Sequence, residues 1–137
     1  RTLLADGSYL QTNKDLDFTK SMHYVIGYEL FPVKDWRIKS EIYYQNLYNV
    51  PVSLTSTSYT MLNVGSSYFP NEEGYLKNTG TGTNYGLELT VEKFFSKGYY
   101  GLITSSLYNS TYKGSDGVSR NTAFNGRYVF NILAGKE

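Results

Sequence analysis

The 137-residue sequence contains no cysteine, which excludes disulfide staples and thiolate metal centres and leaves the redox compartment undetermined. Histidine occurs once, at His23. A single imidazole without thiolates cannot assemble a typical zinc site, and His23 has no sequence context for a catalytic triad, so it reads as a polar-face residue. No run of about 18 apolar residues occurs, and a transmembrane helix is thereby excluded. Membrane strands are not, because they need only about 9 to 11 residues of alternating polarity. Charge is modest as well: 18% of residues are charged and the net charge is +1, the profile of neither a disordered chain nor a nucleic-acid binder. The opening residues, RTLLADGSYL, lack the basic start and apolar core of a secretion signal, so the chain is expected to be mature or cut from a longer one.

Aromatic residues are the excess. Fifteen Tyr, seven Phe and one Trp make up 17% of the chain, and tyrosine suits a boundary between an apolar phase and water. Thirteen Gly with three Pro fit a protein of strands and turns.

The segment 84–95, NYGLELTVEKFF, alternates: Tyr85, Leu87, Leu89 and Val91 point one way, and Asn84, Gly86, Glu88, Thr90 and Glu92 the other. A period of two is the mark of a strand with one apolar and one polar face. Alternation alone leaves two environments open, since a soluble sandwich turns the apolar face inward and a membrane barrel turns it to lipid. Segment 21–30 behaves alike, with Met22, Tyr24, Ile26, Tyr28 and Leu30 opposed to Ser21, His23, Val25, Gly27 and Glu29. Segment 36–45 sets Trp36, Ile38, Ile42 and Tyr44 against Arg37, Lys39, Glu41, Tyr43 and Gln45. Three charges on one strand face are costly in a dry core, so that face is expected to meet water. A strand over 99–112 has blurred faces, 127–134 alternates again through Tyr128, Phe130, Ile132 and Ala134, and one further strand is expected near 8–12.

Between these strands lie two kinds of connection. FPVKD (31–35) and SKG (96–98) are short, whereas 46–83 and 113–125 are long and polar. Short turns at one rim and long loops at the other are the asymmetry of an outer-membrane barrel. The fold class expected is therefore all-β, an antiparallel up-and-down meander forming a partial segment of a transmembrane β-barrel, with 1–137 as a single unit.

The segments MHYVIGYE (22–29), IYYQNLYNVPV (42–52), NYGLELTVEKFFSKGYYGLITSSLYNSTYKG (84–114) and NGRYVFNILAGKE (125–137) resemble the C-terminal barrel region of TonB-dependent outer-membrane receptors. The resemblance covers most of the chain from about Asn13 onward. It implies a piece of a 22-stranded barrel in the bacterial outer membrane that imports a siderophore, a cobalamin or a glycan, driven by the TonB complex. The five or six strands counted here are too few to close such a barrel. Plug, TonB-contacting segment and aromatic terminal residue are absent from the sequence, so a fragment is expected, with the lipid bilayer and the rest of barrel and plug as partners in the parent. In such a fragment the apolar stripe is expected to fold onto itself.

Hidden chemistry is weakly supported. Glu88 and Glu92, four residues apart on a strand, lie about 13 Å apart, beyond the roughly 5 to 9.5 Å of glycosidase carboxylates. The glycines of GTGTNYG (80–86) have the wrong spacing for a dinucleotide loop and lead into a strand, and Asn109-Ser110-Thr111 is a glycosylation sequon without meaning in a bacterial protein. Arg37, Lys39 and Glu41 are expected to join a charge ladder that orders the wall. No catalytic residue, metal, cofactor or nucleic-acid partner is expected. Ligand contact falls to the loops, where Tyr48, Tyr59, Tyr68 and Phe69 in the first and Tyr112 and Arg120 in the second offer stacking surfaces and a fork of donors. The competing readings are a soluble β-sandwich that binds carbohydrate, and a complete small structural outer-membrane barrel.

Overall fold

The computed structural model describes residues 2–3, 5–66 and 74–137. They are nearly all strand: β1 (Thr2–Leu3), β2 (Tyr9–Leu10), β3 (Lys20–Leu30), β4 (Trp36–Ser53), β5 (Leu76–Ser96), β6 (Tyr99–Lys113), β7 (Ser119–Asn121) and β8 (Tyr128–Lys136), with one short 3-10 helix at Met61–Ser66. β1 and β2 pair with each other, and the other six form one antiparallel meander in the order β3-β4-β5-β6. The far edge of β6 is shared, with β7 along Thr111–Lys113 and β8 along Tyr99–Leu107. The sheet is open, a form compatible with a segment of a barrel wall.

The two short connections are built by backbone choice. Lys97 and Gly98 have φ of 53° and 78°, the pair of left-handed residues that a two-residue type I′ hairpin needs to match strand twist. The β3–β4 connection ends on Asp35, at φ 67°, whose carbonyl accepts the Phe94 N–H at 2.8 Å.

β4 runs on to Ser53 and β5 begins at Leu76, so the connection is 54–75 and not the 46–83 expected from polarity. The cause lies at Asn49, which has φ 56° inside β4. A left-handed residue within a strand makes a bulge and resets which side chains share a face. Before it, Tyr43 and Leu47 face Gly86 and Gly82 of β5; after it, Val50 and Val52 face Gly80. Odd positions before the bulge and even positions after it therefore line the same face. Asn78 Nδ2 donates to the Asn49 carbonyl at 2.8 Å and to the Asp17 carbonyl at 2.9 Å, and Asn49 Nδ2 donates to Asp17 Oδ2 at 3.3 Å.

The chain divides into two compact units. The loop-side unit comprises 1–22, 46–83 and 110–124, and the turn-side unit 23–45, 84–109 and 125–137. The buried apolar residues among those described, Val50, Val52 and Tyr112, all lie in the loop-side unit. There the polypeptide after β4 returns over its own strands. Val52 bridges Thr60, Leu62 packs where a Gly82 side chain would stand, and Thr57 and Ser58 approach Gly114 so closely that a Cβ there would lie 2.5 Å from the Thr57 carbonyl oxygen.

In the turn-side unit the apolar face stays open. Tyr85 is 49% exposed and Leu87 and Leu89 are each 41% exposed, so the stripe does not fold onto itself as expected for a fragment. A single sheet layer offers it no second layer to pack against.

Candidate functional site

The polar face of the turn-side unit is held together across strands. Arg37 on β4 stands between Glu29 on β3 at 3.3 Å and Glu92 on β5 at 2.5 Å, and Lys39 meets Glu41 on the same strand at 2.6 Å. The expected charge ladder thus exists, with Glu92 as a member that polarity alone did not assign. Glu88 and Glu92 make no acid/base pair, since Glu92 is engaged by Arg37. The described residues contain no group of three or more His, Cys, Asp or Glu suited to a metal ion.

Glycines and tyrosines complete this face. The Tyr43 hydroxyl lies 2.8 Å from where a Gly86 Cβ would stand, and the Tyr100 ring covers Gly135, its directly paired residue on β8. An aromatic laid over a strand glycine restores the packing that the missing side chain forfeits. His23 meets the edge of Tyr43 with ring centroids 6.1 Å apart, consistent with its expected place on the polar face. Asn84 Nδ2 donates to Gln45 Oε1 at 2.8 Å and Asn131 Nδ2 to Thr104 Oγ1 at 3.2 Å. Hydrogen bonds and ion pairs thus link neighbouring strands across this face.

The opposite face carries exposed apolar residues on β3, β4, β5, β6 and β8. Ile26 is 78% exposed on β3, Ile42 62% on β4 and Ile132 65% on β8. At this face lies a groove of about 680 Å³ whose lining includes Ile42, Tyr44, Tyr85, Leu87 and Leu107 together with Asn109 and Arg127.

The structure distributes the expected ligand residues unevenly. Tyr48 lies within β4 rather than in a loop, because the bulge at Asn49 keeps the strand going where polarity suggested an end. Tyr59 is on the 54–75 connection, half-buried, its hydroxyl 3.5 Å from Met61 Sδ. Tyr68 and Phe69 lie outside the described residues. Tyr112 and Arg120 are brought together as directly paired residues of β6 and β7, but Tyr112 is 7% exposed and offers little stacking surface. The Arg120 fork is already engaged, by Asp116 Oδ1 at 2.9 Å, Asp116 Oδ2 at 2.7 Å and the Val118 carbonyl at 3.2 Å. The Arg120 hydrogen bonds, helped by the Val118 N–H, hold the Asp116 carboxyl below its ordinary range.

Loop docking is the feature that sequence reasoning missed. Ser115 Oγ accepts the Thr57 N–H at 3.0 Å and donates to the Thr55 carbonyl, the Asp116 N–H reaches the Thr57 carbonyl at 3.3 Å, and Asn63 Oδ1 accepts the Ala123 N–H at 3.2 Å. The available signal was Gly82 on β5 and Gly114 just after β6, bare positions that admit the Leu62 side chain and the Thr57–Ser58 backbone.

Compared with protein-family models, curated proteins and solved structures, the chain matches none.

Proposed function

We propose that the chain is a wall segment of an outer-membrane β-barrel, within a receptor of the TonB-dependent type that imports a siderophore, a cobalamin or a glycan. One observation carries the membrane part of this reading. A single antiparallel sheet exposes a largely apolar face and backs it with a face of ion pairs, Glu29–Arg37–Glu92 and Lys39–Glu41. Lipid satisfies the first face and a watery lumen the second. A soluble sandwich would need a second sheet over the apolar face, and the one other sheet among the described residues has two strands of two residues each. The receptor part rests on the sequence resemblance together with the alternation of short turns and long connections. In this role the chain does no chemistry: its strands separate lipid from lumen and its loops meet the cargo, with plug and TonB contact supplied by the parent protein.

Trp36 is the sole tryptophan and begins β4 on the apolar face, 37% exposed, where a girdle residue belongs. The purified chain refolded from denaturant into phosphatidylcholine vesicles is expected to float with them, with Trp36 emission quenched most by lipids brominated near the headgroup. A chain that stays in the aqueous fraction with Trp36 unquenched overturns the reading.

A further inference from the structure

We infer that the groove on the apolar face is a binding site for an anionic phospholipid, one acyl chain lying along it and the phosphate held by Arg127. The inference rests on the membrane reading above and adds a specific ligand class to one place on the wall.

The groove has the two halves of an amphiphile's complement. Its walls are Ile42 and Tyr44 from β4, Tyr85 and Leu87 from β5 and Leu107 from β6, and its volume of about 680 Å³ falls within the roughly 300 to 1,000 Å³ typical of ligand sites. No acidic residue lines it, and Arg127 is the one charged residue in its lining. Arg127 is exposed, and among the described residues its guanidinium has no ion pair and no hydrogen bond, whereas Arg37 and Arg120 are both engaged by carboxylates. A planar guanidinium fork matches a phosphate in geometry as well as charge.

Arg127 is also held where it stands. Its φ is 67°, a left-handed conformation that is unfavourable for a residue with a side chain and persists only where the surroundings impose it. Here the Arg127 carbonyl accepts the Tyr108 N–H at 2.8 Å and the Gly126 N–H donates to the Tyr108 hydroxyl at 3.2 Å. Beside it, Asn125 Nδ2 donates to Asn109 Oδ1 at 2.9 Å and Asn109 Nδ2 to the Tyr85 hydroxyl at 3.3 Å. The lining of one apolar groove therefore includes hydrogen-bonded polar groups and one uncommitted cation, the two kinds of contact that a phospholipid offers.

The test is competition between phosphatidylglycerol and phosphatidylcholine for the vesicle-refolded chain, read as the ratio of the two lipids retained after detergent extraction, by native mass spectrometry. The chain is expected to retain phosphatidylglycerol roughly tenfold over phosphatidylcholine, the scale of one charge-assisted contact. Arg127→Gln should bring the ratio near one, Arg127→Lys should keep part of it, and Lys34→Gln, which removes the same charge from the β3–β4 turn, should leave it unchanged. An unmodified chain that inserts without preference, or an equal fall for Lys34→Gln and Arg127→Gln, overturns the lipid site while the wall reading stands. Inorganic phosphate that abolishes the preference would assign Arg127 to free anions and equally overturn it. Failure to insert even into phosphatidylcholine is the separate result that removes the wall reading itself.

Discussion

Val52 and Leu87 are both apolar strand residues, yet Val52 is wholly buried and Leu87 is 41% exposed. Val52 stands on the sheet face shared with Tyr43 and Leu47, over which the segment after β4 returns, whereas Leu87 stands on the opposite, apolar face, which no described segment covers. In the loop-side unit the segment after β4 folds back, and Leu62, Thr57 and Ser58 occupy the space left by Gly82 and Gly114. That unit makes a small core of its own, in which each buried valine contributes about 1.5–3 kcal/mol. In the turn-side unit the connections are a five-residue and a two-residue turn, too short to return over either face. Its apolar side chains have no cover among the described residues, and in the proposed reading lipid supplies it. The meander thus holds two solutions on opposite faces, a core made by a loop in one unit and, in the other, an apolar face that the described residues leave uncovered.

The largest expected effect separates these two solutions directly. Leu89→Arg places a charge in the middle of the uncovered face, which in a bilayer costs about 2–4 kcal/mol near the midplane. In water the same exposed position should tolerate the change within roughly 0.5 kcal/mol. Urea titration of the vesicle-inserted chain and of the chain in aqueous buffer gives both numbers. Equal costs in the two media would dissolve the distinction between wall and core.

A smaller effect is expected at the bulge that lets β4 serve the loop-side core. Asn49→Val puts a β-branched residue at φ 56° and removes the bond to Asp17, for a loss of about 2 kcal/mol. Asn49→Gly keeps the left-handed backbone and should cost about half of that. The readout is limited proteolysis within 54–66, which should accelerate in the order Asn49→Val, Asn49→Gly, unmodified chain, while Trp36 emission stays constant. A matching change in Trp36 would mean that the two units do not respond separately.

Much of the wall was legible because its information is local. The period-two runs at 21–30, 36–45 and 84–95 placed β3, the first half of β4 and the second half of β5, and the face assignments followed from the same alternation. The charges on Arg37, Lys39 and Glu41 marked the polar face, although the pairing of Arg37 with Glu29 and Glu92 depends on neighbours that no single-strand window contains. The loop side was less legible for the same reason. Asn49 is held by Asp17 and Asn78, residues 32 and 29 positions away, so a local reading met only a broken pattern and ended the strand before Tyr48. Arg120 looked like a free donor fork for a ligand, and the bidentate bond to Asp116 shows that it stabilises its own loop. The aromatic excess read as girdle and loop surface also includes Tyr43 and Tyr100, whose rings fill the space above Gly86 and Gly135 on the polar face.

The smallest expected effect concerns that loop. Hydrogen bonds from Arg120 and from the Val118 N–H hold the Asp116 carboxyl's pKa below the ordinary value of 3.8, with charge attraction to Arg120 as a lesser cause. A carboxyl depressed in the folded state stabilises that state above its unfolded pKa and loses the contribution as pH falls through the folded one. The β6–β7 turn is therefore expected to hold its form through neutral and mildly acidic pH and to loosen only below about pH 4. The pair is solvent-exposed, so added salt should weaken the dependence. Carboxyl-carbon NMR of Asp116 across the titration should give a midpoint below 3.8, and Arg120→Gln should raise it toward that value. A midpoint unchanged by Arg120→Gln would mean that the Val118 N–H alone holds the carboxylate, and the guanidinium of Arg120 would then be free to meet a ligand after all.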